Sequence, residues 1–318
     1  MIPDAWLDEA VELLKGRVEE TPLTFDPQHE IWIKWENHQI TGSYKIRGAF
    51  NKILNLEPWE RERGLVTASA GNHGQGVAVA ARASGAPVVV FASAHAVPAK
   101  LDAMRALGAD VRLVPGGYQL AEETARRFAI EQEMTFVSPY NDGRVIAGQG
   151  TIGVETLAQL GGRPTPSWLV PAGGGGLISG IGKSLEPISP RPTLVGVQSV
   201  ASAYLHEIYH HHSQSDVVEL DSLADGLSGP VEENSITIPM VHQYVSRFLL
   251  VTETEIEHAI AYAWYRHHEI IEGSAAVALA LGITSEEIER PAVVVITGGN
   301  IQPEVHAGIC ERWENLYC

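Results

Sequence analysis

The sequence predicts an α/β protein built on mainly parallel sheets. Three observations carry this. Leu65-Val66-Thr67-Ala68, Val88-Val89-Val90-Phe91, Leu169-Val170 and Val293-Val294-Val295-Ile296 are short, continuously apolar runs. Strands buried on both faces read this way, and parallel sheets bury both faces. Stretches with helical periodicity lie between these runs, so strand and helix alternate. Finally, the turns after several of the strands are rich in glycine and small polar residues, where open α/β sheets bind ligands.

The helices follow from spacing and caps. Ile46, Ala49, Phe50, Ile53 and Leu54 fall at i, i+3, i+4, i+7 and i+8, giving a helix with one apolar face on which Lys45 and Arg47 lie off the stripe. Ser43 is its expected N-cap. Leu101, Met104 and Leu107 mark another helix. Thr252 and Glu255 form a capping box ahead of a long helix through Tyr262 and Trp264. The polar run from His210 to Asp216 reads as a surface loop, whose three histidines are expected to be solvated. No internal repeat or low-complexity linker appears.

Composition narrows the function. A net charge of −17 repels phosphate backbones, which argues against a nucleic-acid partner. No uninterrupted apolar run approaches the ~18 residues of a membrane span. The first residues lack the basic and apolar regions of a secretory signal. The two cysteines, Cys310 and Cys318, form no disulfide framework and suit a reducing cytoplasm.

Four segments carry the chemistry. In Thr41-Gly42-Ser43-Tyr44-Lys45-Ile46-Arg47-Gly48-Ala49, Lys45 stands at a helix start, the end that the macrodipole makes unfavourable for a cation. It reads either as a solvated surface lysine or as an amine nucleophile. Ser69-Ala70-Gly71-Asn72-His73-Gly74-Gln75-Gly76 is a strand-to-helix turn. Its small residues suit backbone amides facing a carboxylate, with Ser69 and Asn72 adding side-chain groups. The alternative is a tight turn with a structural His73. Pro171-Ala172-Gly173-Gly174-Gly175-Gly176-Leu177 follows a strand and fits amides closing on a phosphate. Thr297, in Thr297-Gly298-Gly299-Asn300, ends the last strand with a hydroxyl that can make a hydrogen bond or cap the next turn. Two near-matches fail. Gly182-Lys183-Ser184 would need a P-loop glycine where Leu177 stands. Gly148-Gln149-Gly150-Thr151-Ile152-Gly153 fits G-x-G-x-x-G but no clear strand precedes it.

Together the four segments resemble the fold-type-II pyridoxal-phosphate (PLP) enzymes, in particular the threonine/serine dehydratase and serine racemase branch. Thr21-Pro22-Leu23, Lys34-Trp35-Glu36, Ala147-Gly148-Gln149-Gly150-Thr151, Ala224-Asp225-Gly226 and Glu272-Gly273-Ser274-Ala275 extend the resemblance over nearly the whole chain. It implies two three-layer α/β/α domains of tryptophan synthase β-like type. Residues 1–50 and 142–318 would form a large cofactor-binding domain, and 51–141 a small mobile substrate-side domain. It implies that Lys45 forms the Schiff base and moves the Cα proton, and that Tyr44 packs near the cofactor ring. Asn72 would bond the ring's 3′-oxygen and Thr297 the pyridine nitrogen. Gly173, Gly174, Gly175, Gly176 and Leu177 would cradle the phosphate. Ser69, Ala70, Asn72 and His73 would face the substrate carboxylate. Gly148 to Gly153 becomes a helix start.

The implied activity is β-elimination of L-threonine or L-serine to a 2-oxo acid and ammonia. A different β-hydroxy amino acid, such as 3-hydroxyaspartate or phenylserine, is the main alternative. Racemisation and non-catalytic PLP or amino-acid binding are further ones. A neutral hydroxyl at the pyridine nitrogen favours prompt loss of a β-substituent. Ala70 stands where the racemases carry a serine as second base. Gln198 and Tyr204 stand where some members have cation-binding carboxylates, so no metal is expected there. Gly273 replaces the usual proline after Glu272. The chain ends soon after Asn300, so no regulatory domain is expected. The resemblance also implies a homodimer or higher homo-oligomer.

Overall fold

A computed structural model describes residues 2–317; Met1 and Cys318 lie outside the described residues. The strands, in chain order, are β1 (Leu23–Asp26), β2 (Ile31–Trp35), β3 (Leu65–Ala68), β4 (Val88–Ser93), β5 (Asp110–Val114), β6 (Thr135–Phe136), β7 (Ser167–Pro171), β8 (Thr193–Ser199), β9 (Arg247–Val251) and β10 (Ala292–Ile296). All four apolar runs picked out from the sequence are strands. They form a six-stranded sheet, β1-β2-β10-β7-β8-β9, and a four-stranded sheet, β5-β4-β3-β6. Only the β1–β2 pair is antiparallel; the others run parallel.

The chain divides into two compact units. The larger comprises residues 19–44 and 150–317 and holds the six-stranded sheet. Ile31, Ile33, Leu169, Val195, Val197, Val294 and Ile296 pack one face against the helices Glu253–Tyr262, Gly273–Thr284 and Pro303–Tyr317. Trp168, Val170, Leu194, Val293 and Val295 are buried on the opposite face. The capping box forms as expected: Thr252 Oγ1 accepts the Glu255 N–H and Glu255 accepts the Thr252 N–H. The helix continues past Tyr262 as one π-turn, Ala263–His267.

The smaller unit comprises Ile2–Val18 and Lys45–Gln149. Alternation along its strands feeds two cores. Leu65, Val88 and Val90 pack with the helices Lys45–Leu54, Asn72–Ser84 and Pro98–Ala106, while Val66, Ala68, Val89 and Phe91 pack with Tyr118–Glu131. This is the expected α/β/α layering.

The units do not follow the expected boundaries of 1–50 with 142–318 against 51–141. Residues 2–18, 45–50 and 142–149 fall in the smaller unit. The physical reason is the helix Lys45–Leu54. Its apolar face enters the smaller core beside Val77, Ala80 and Ala81, and its other side crosses the helix Gly143–Leu160 at glycines. A Cβ on Gly148 would lie 2.7 Å from both Arg47 O and Gly48 Cα. Arg47, although off the apolar stripe, is consequently buried at 1% exposure. Gly148–Gly153 sits in the middle of a helix, not at its start.

Each sheet has one place where its strand order reverses. In the larger, β7, β8 and β9 step outward in sequence, and β10 returns to the other side of β7. In the smaller, β3, β4 and β5 step outward and β6 returns to the other side of β3. Loops leaving the carboxyl ends of such neighbouring strands diverge and open a crevice. The loops at these two points are 172–175 with 297–300, and 69–71 with 137–141. All four segments singled out from sequence either form these loops or, for Lys45, approach one of them.

The close helix crossing predicts that Gly148→Ala destabilises the protein by about 1–3 kcal/mol through overpacking against backbone that cannot yield. A urea melt of the variant should show a lowered midpoint; an unchanged midpoint would contradict the role assigned to the crossing.

Candidate active site

In the smaller unit the crevice forms around Lys45. The helix Asn72–Ser84 packs on the helix Lys45–Leu54, and Gly76 sets how closely. A Cβ there would lie 3.1 Å from Ile46 N and 3.2 Å from the Lys45 carbonyl carbon. A Cβ on Gly74 would lie 2.5 Å from Met104 Sδ and 2.9 Å from Ser69 O. These two glycines therefore serve packing, where the sequence suggested amides facing an anion. The turn itself is held by Ser69, whose N–H donates to Phe91 O at 3.0 Å and whose Oγ accepts the Gly71 N–H at 3.1 Å. Ser69, Ala70 and Asn72 remain partly exposed.

Lys45 is half-buried and its Nζ donates to Pro139 O at 3.1 Å. His73 is buried, with its Nε2 donating to Val137 O at 3.0 Å. The pKa of His73 is lowered to about 3, first by burial and then by the positive charge of Lys45, against the raising effect of its bond to Val137. A neutral imidazole with Nε2–H leaves Nδ1 as a lone pair, and Nδ1 has no partner among the described residues. Thus the two carbonyls that follow β6 hold the lysine amine and the histidine ring. The loop 137–141 was missed in the sequence because β6 is two residues long, too short to register as a strand.

In the larger unit the crevice has a glycine side and a threonine side. Gly175 has φ +85° and a Cβ there would lie 3.0 Å from Thr237 Cβ; a Cβ on Gly173 would lie 3.0 Å from Leu227 Cα. Side chains at these places would fill the cradle. Thr237 Oγ1 donates to Gly174 O at 2.7 Å, and Ser235 Oγ lies 2.7 Å from Thr237 Oγ1. This buttress, buried and distant in sequence, gave no signal beforehand. Among the described residues, the N–H groups of Gly174 to Leu177 make no hydrogen bond within the chain. They open the buried helix Gly176–Leu185, whose dipole adds positive potential.

On the threonine side the chain before Lys45 pairs with the end of β10. Tyr44 N–H donates to Thr297 O at 3.0 Å, Gly299 N–H to Gly42 O at 2.9 Å, and Ser43 bridges Gly298. Ser43 is buried and its Oγ has no partner among the described residues, so it is not the expected N-cap. Glu272 N–H donates to Gly298 O at 3.1 Å. A Cβ on Gly298 would lie 2.6 Å from Glu272 Oε1, which brings this buried carboxylate next to Thr297. At Gly273 a Cβ would collide with Leu223 O, so the residue that replaces the expected proline permits a close backbone approach.

Elsewhere, Gln198 is fully buried and its Oε1 accepts the His206 N–H at 2.8 Å. Tyr204 OH donates to Glu219 at 3.2 Å. Of the run expected as a loop, His210 and His211 instead end the helix Tyr204–His211; His212 caps it in the left-handed conformation at φ 57°, and residues 213–216 form the mostly exposed, irregular segment that was expected. The apolar spacing of Leu205 and Ile208, both buried, was the overlooked signal.

Each unit carries groups that suit one part of a phosphorylated pyridine aldehyde. In the larger, glycine amides at a helix start suit its phosphate and Thr297 offers a neutral hydroxyl donor or acceptor; in the smaller, Lys45 offers a primary amine. The comparisons agree. The family model described as pyridoxal-phosphate dependent enzyme matches residues 14–298. The L-threonine ammonia-lyase of Thermotoga maritima is 37% identical over 93% of this chain and 75% of its own. A catabolic L-threonine dehydratase of Staphylococcus aureus is 35% identical over 98% of this chain and 92% of its own. The processed form of threonine deaminase isoform 2 from Solanum lycopersicum superposes with a TM-score of 0.88 at 28% identity, covering 96% of this chain and 92% of that one. With its two parallel-sheet units and its lysine, glycine-loop and threonine segments, the chain belongs to the pyridoxal-phosphate-dependent enzyme family.

Proposed function

We propose that the protein is a threonine/serine ammonia-lyase that converts the amino acid to a 2-oxo acid and ammonia. The observation that carries this reading is Lys45, an amine held at the carbonyl of Pro139 beside the Ser69–His73 turn. Ala70 in that turn has no proton to give or take, so no second base faces the substrate there. That favours elimination over racemisation. The kinship with L-threonine ammonia-lyases and dehydratases supports the same substrate class.

Lys45 Nζ is proposed to hold the cofactor aldehyde and, when released, to take the Cα proton. Bound PLP supplies the electron sink that makes the Cα–H bond breakable. Gly173, Gly174, Gly175, Gly176 and Leu177 are proposed to bind the phosphate, Asn72 the 3′-oxygen and Thr297 the ring nitrogen, with Tyr44 beside the ring. Ser69, Asn72 and the backbone at His73 are proposed to hold the substrate carboxylate. His73, neutral and bonded to Val137, orients this turn and carries no charge of its own to the site. No helix among the described residues is long and apolar enough to cross a membrane. A cytoplasmic homo-oligomer is part of the proposal, on the strength of the resemblance.

Activity assays test the reading. Formation of 2-oxo acid from L-threonine, L-serine, 3-hydroxyaspartate and phenylserine should be fastest with one of the first two. Lys45→Ala should lower turnover by at least ~10²–10⁴-fold. No product from threonine or serine, with turnover of another member of the panel, would reject the substrate class.

A stability measurement tests His73. Its folded pKa lies far below the ordinary 6.5, so the unfolded chain binds the proton more readily. The stability this contributes is complete above about pH 6.5 and is lost as pH falls from there toward about 3. In His73→Asn the pH dependence of the urea midpoint over this window should flatten. An identical slope in both proteins would contradict the burial argument.

A further inference from the structure

The helix Tyr204–His211 carries a feature that the proposed reaction does not use. His206 and His210 stand one turn apart on one helix face, with ring centroids 4.5 Å apart. We propose that His206 and His210 form a two-histidine binding site for a divalent transition ion of the zinc, nickel or copper class.

The argument rests on how the two rings are held. Imidazoles that bind metal almost always donate their second ring N–H to a carboxylate or a backbone carbonyl, which fixes the tautomer and the aim of the ring. Both rings here do so independently. His206 Nδ1 lies 2.9 Å from Glu207 Oε1, which leaves Nε2 as the lone pair. His210 Nε2 lies 3.4 Å from Phe248 O, which leaves Nδ1. The Phe248 ring stands edge-on to His206 at 5.9 Å, and Tyr209 edge-on to His210 at 4.9 Å. Gln198 anchors the helix start through the His206 N–H.

His206-Glu207-Ile208-Tyr209-His210 also spells the H-E-x-x-H pattern of zinc metalloproteases. The geometry speaks against that chemistry. Glu207 Oε1 accepts from His206 and Oε2 lies 3.8 Å from His211 Nε2, so its carboxylate orients the His206 ring rather than activating water. Among the described residues no group of three or more histidine, cysteine, aspartate and glutamate side chains is arranged to enclose an ion. The two imidazoles therefore take two positions and water the rest, a reversible site that favours ions with imidazole affinity over magnesium or calcium.

Titrating the untagged, full-chain holoenzyme with nickel or zinc chloride in a calorimeter tests this. One ion should bind per chain. His210→Asn, at an exposed position, should abolish the binding while the circular dichroism spectrum is unchanged. Glu207→Gln should weaken it by about tenfold or more. The double variant His211→Ala/His212→Ala should bind as the parent does. Absence of binding in the parent, retention in His210→Asn, or loss in the His211/His212 variant would each overturn the assignment.

Discussion

The backbone pairing of Gly42–Tyr44 with Thr297–Gly299 is the constraint on which the site depends. Three contacts, Tyr44 N–H to Thr297 O, Ser43 to Gly298, and Gly299 N–H to Gly42 O, tie the chain just before the lysine to the end of β10. Lys45 is the next residue. Its helix then begins without a side-chain cap from Ser43, and packing against the helix Asn72–Ser84 holds it in the smaller unit. The role proposed for Lys45 gains from such fixation, since catalytic groups are effective only when pre-positioned.

Parallel topology supplies the setting. A sheet whose strand order reverses must open at the reversal, and this chain does so twice, at β3/β6 and at β7/β10. What fills each opening is decided by residue size. At β7/β10, glycines at 173 and 175 keep the cradle clear of side chains, and Thr237 fastens it from below. At β3/β6, Gly74 and Gly76 let helices and a turn approach until lysine and histidine share one loop's carbonyls. Glycine therefore does two different jobs in segments that look alike in sequence.

Much of this was legible beforehand. Continuous apolar runs gave the central strands because strands buried on both faces can be little else, and the Thr252–Glu255 box forms as read. The readings that failed depended on long-range packing. Arg47 lies off the apolar stripe and is buried all the same, because helical periodicity registers one buried face, whereas this helix is covered on two. Ser43 looked like a cap because its partner, Gly298, is far away in sequence. The loop 137–141 and the Ser235–Thr237 buttress carry no local pattern, since their roles arise only where the sheet order reverses or a helix end meets a glycine loop. His210 and His211 read as loop because polarity outweighed Leu205 and Ile208, the two apolar residues upstream that make their turn helical.

The most direct test is to locate the cofactor covalently. Reducing the holoenzyme with borohydride, digesting it and mapping the pyridoxyl group by mass spectrometry should place the added mass on Lys45. Modification of another lysine, such as Lys52 or Lys34, or no modified lysine in a preparation that retains its cofactor, would contradict the account at its centre.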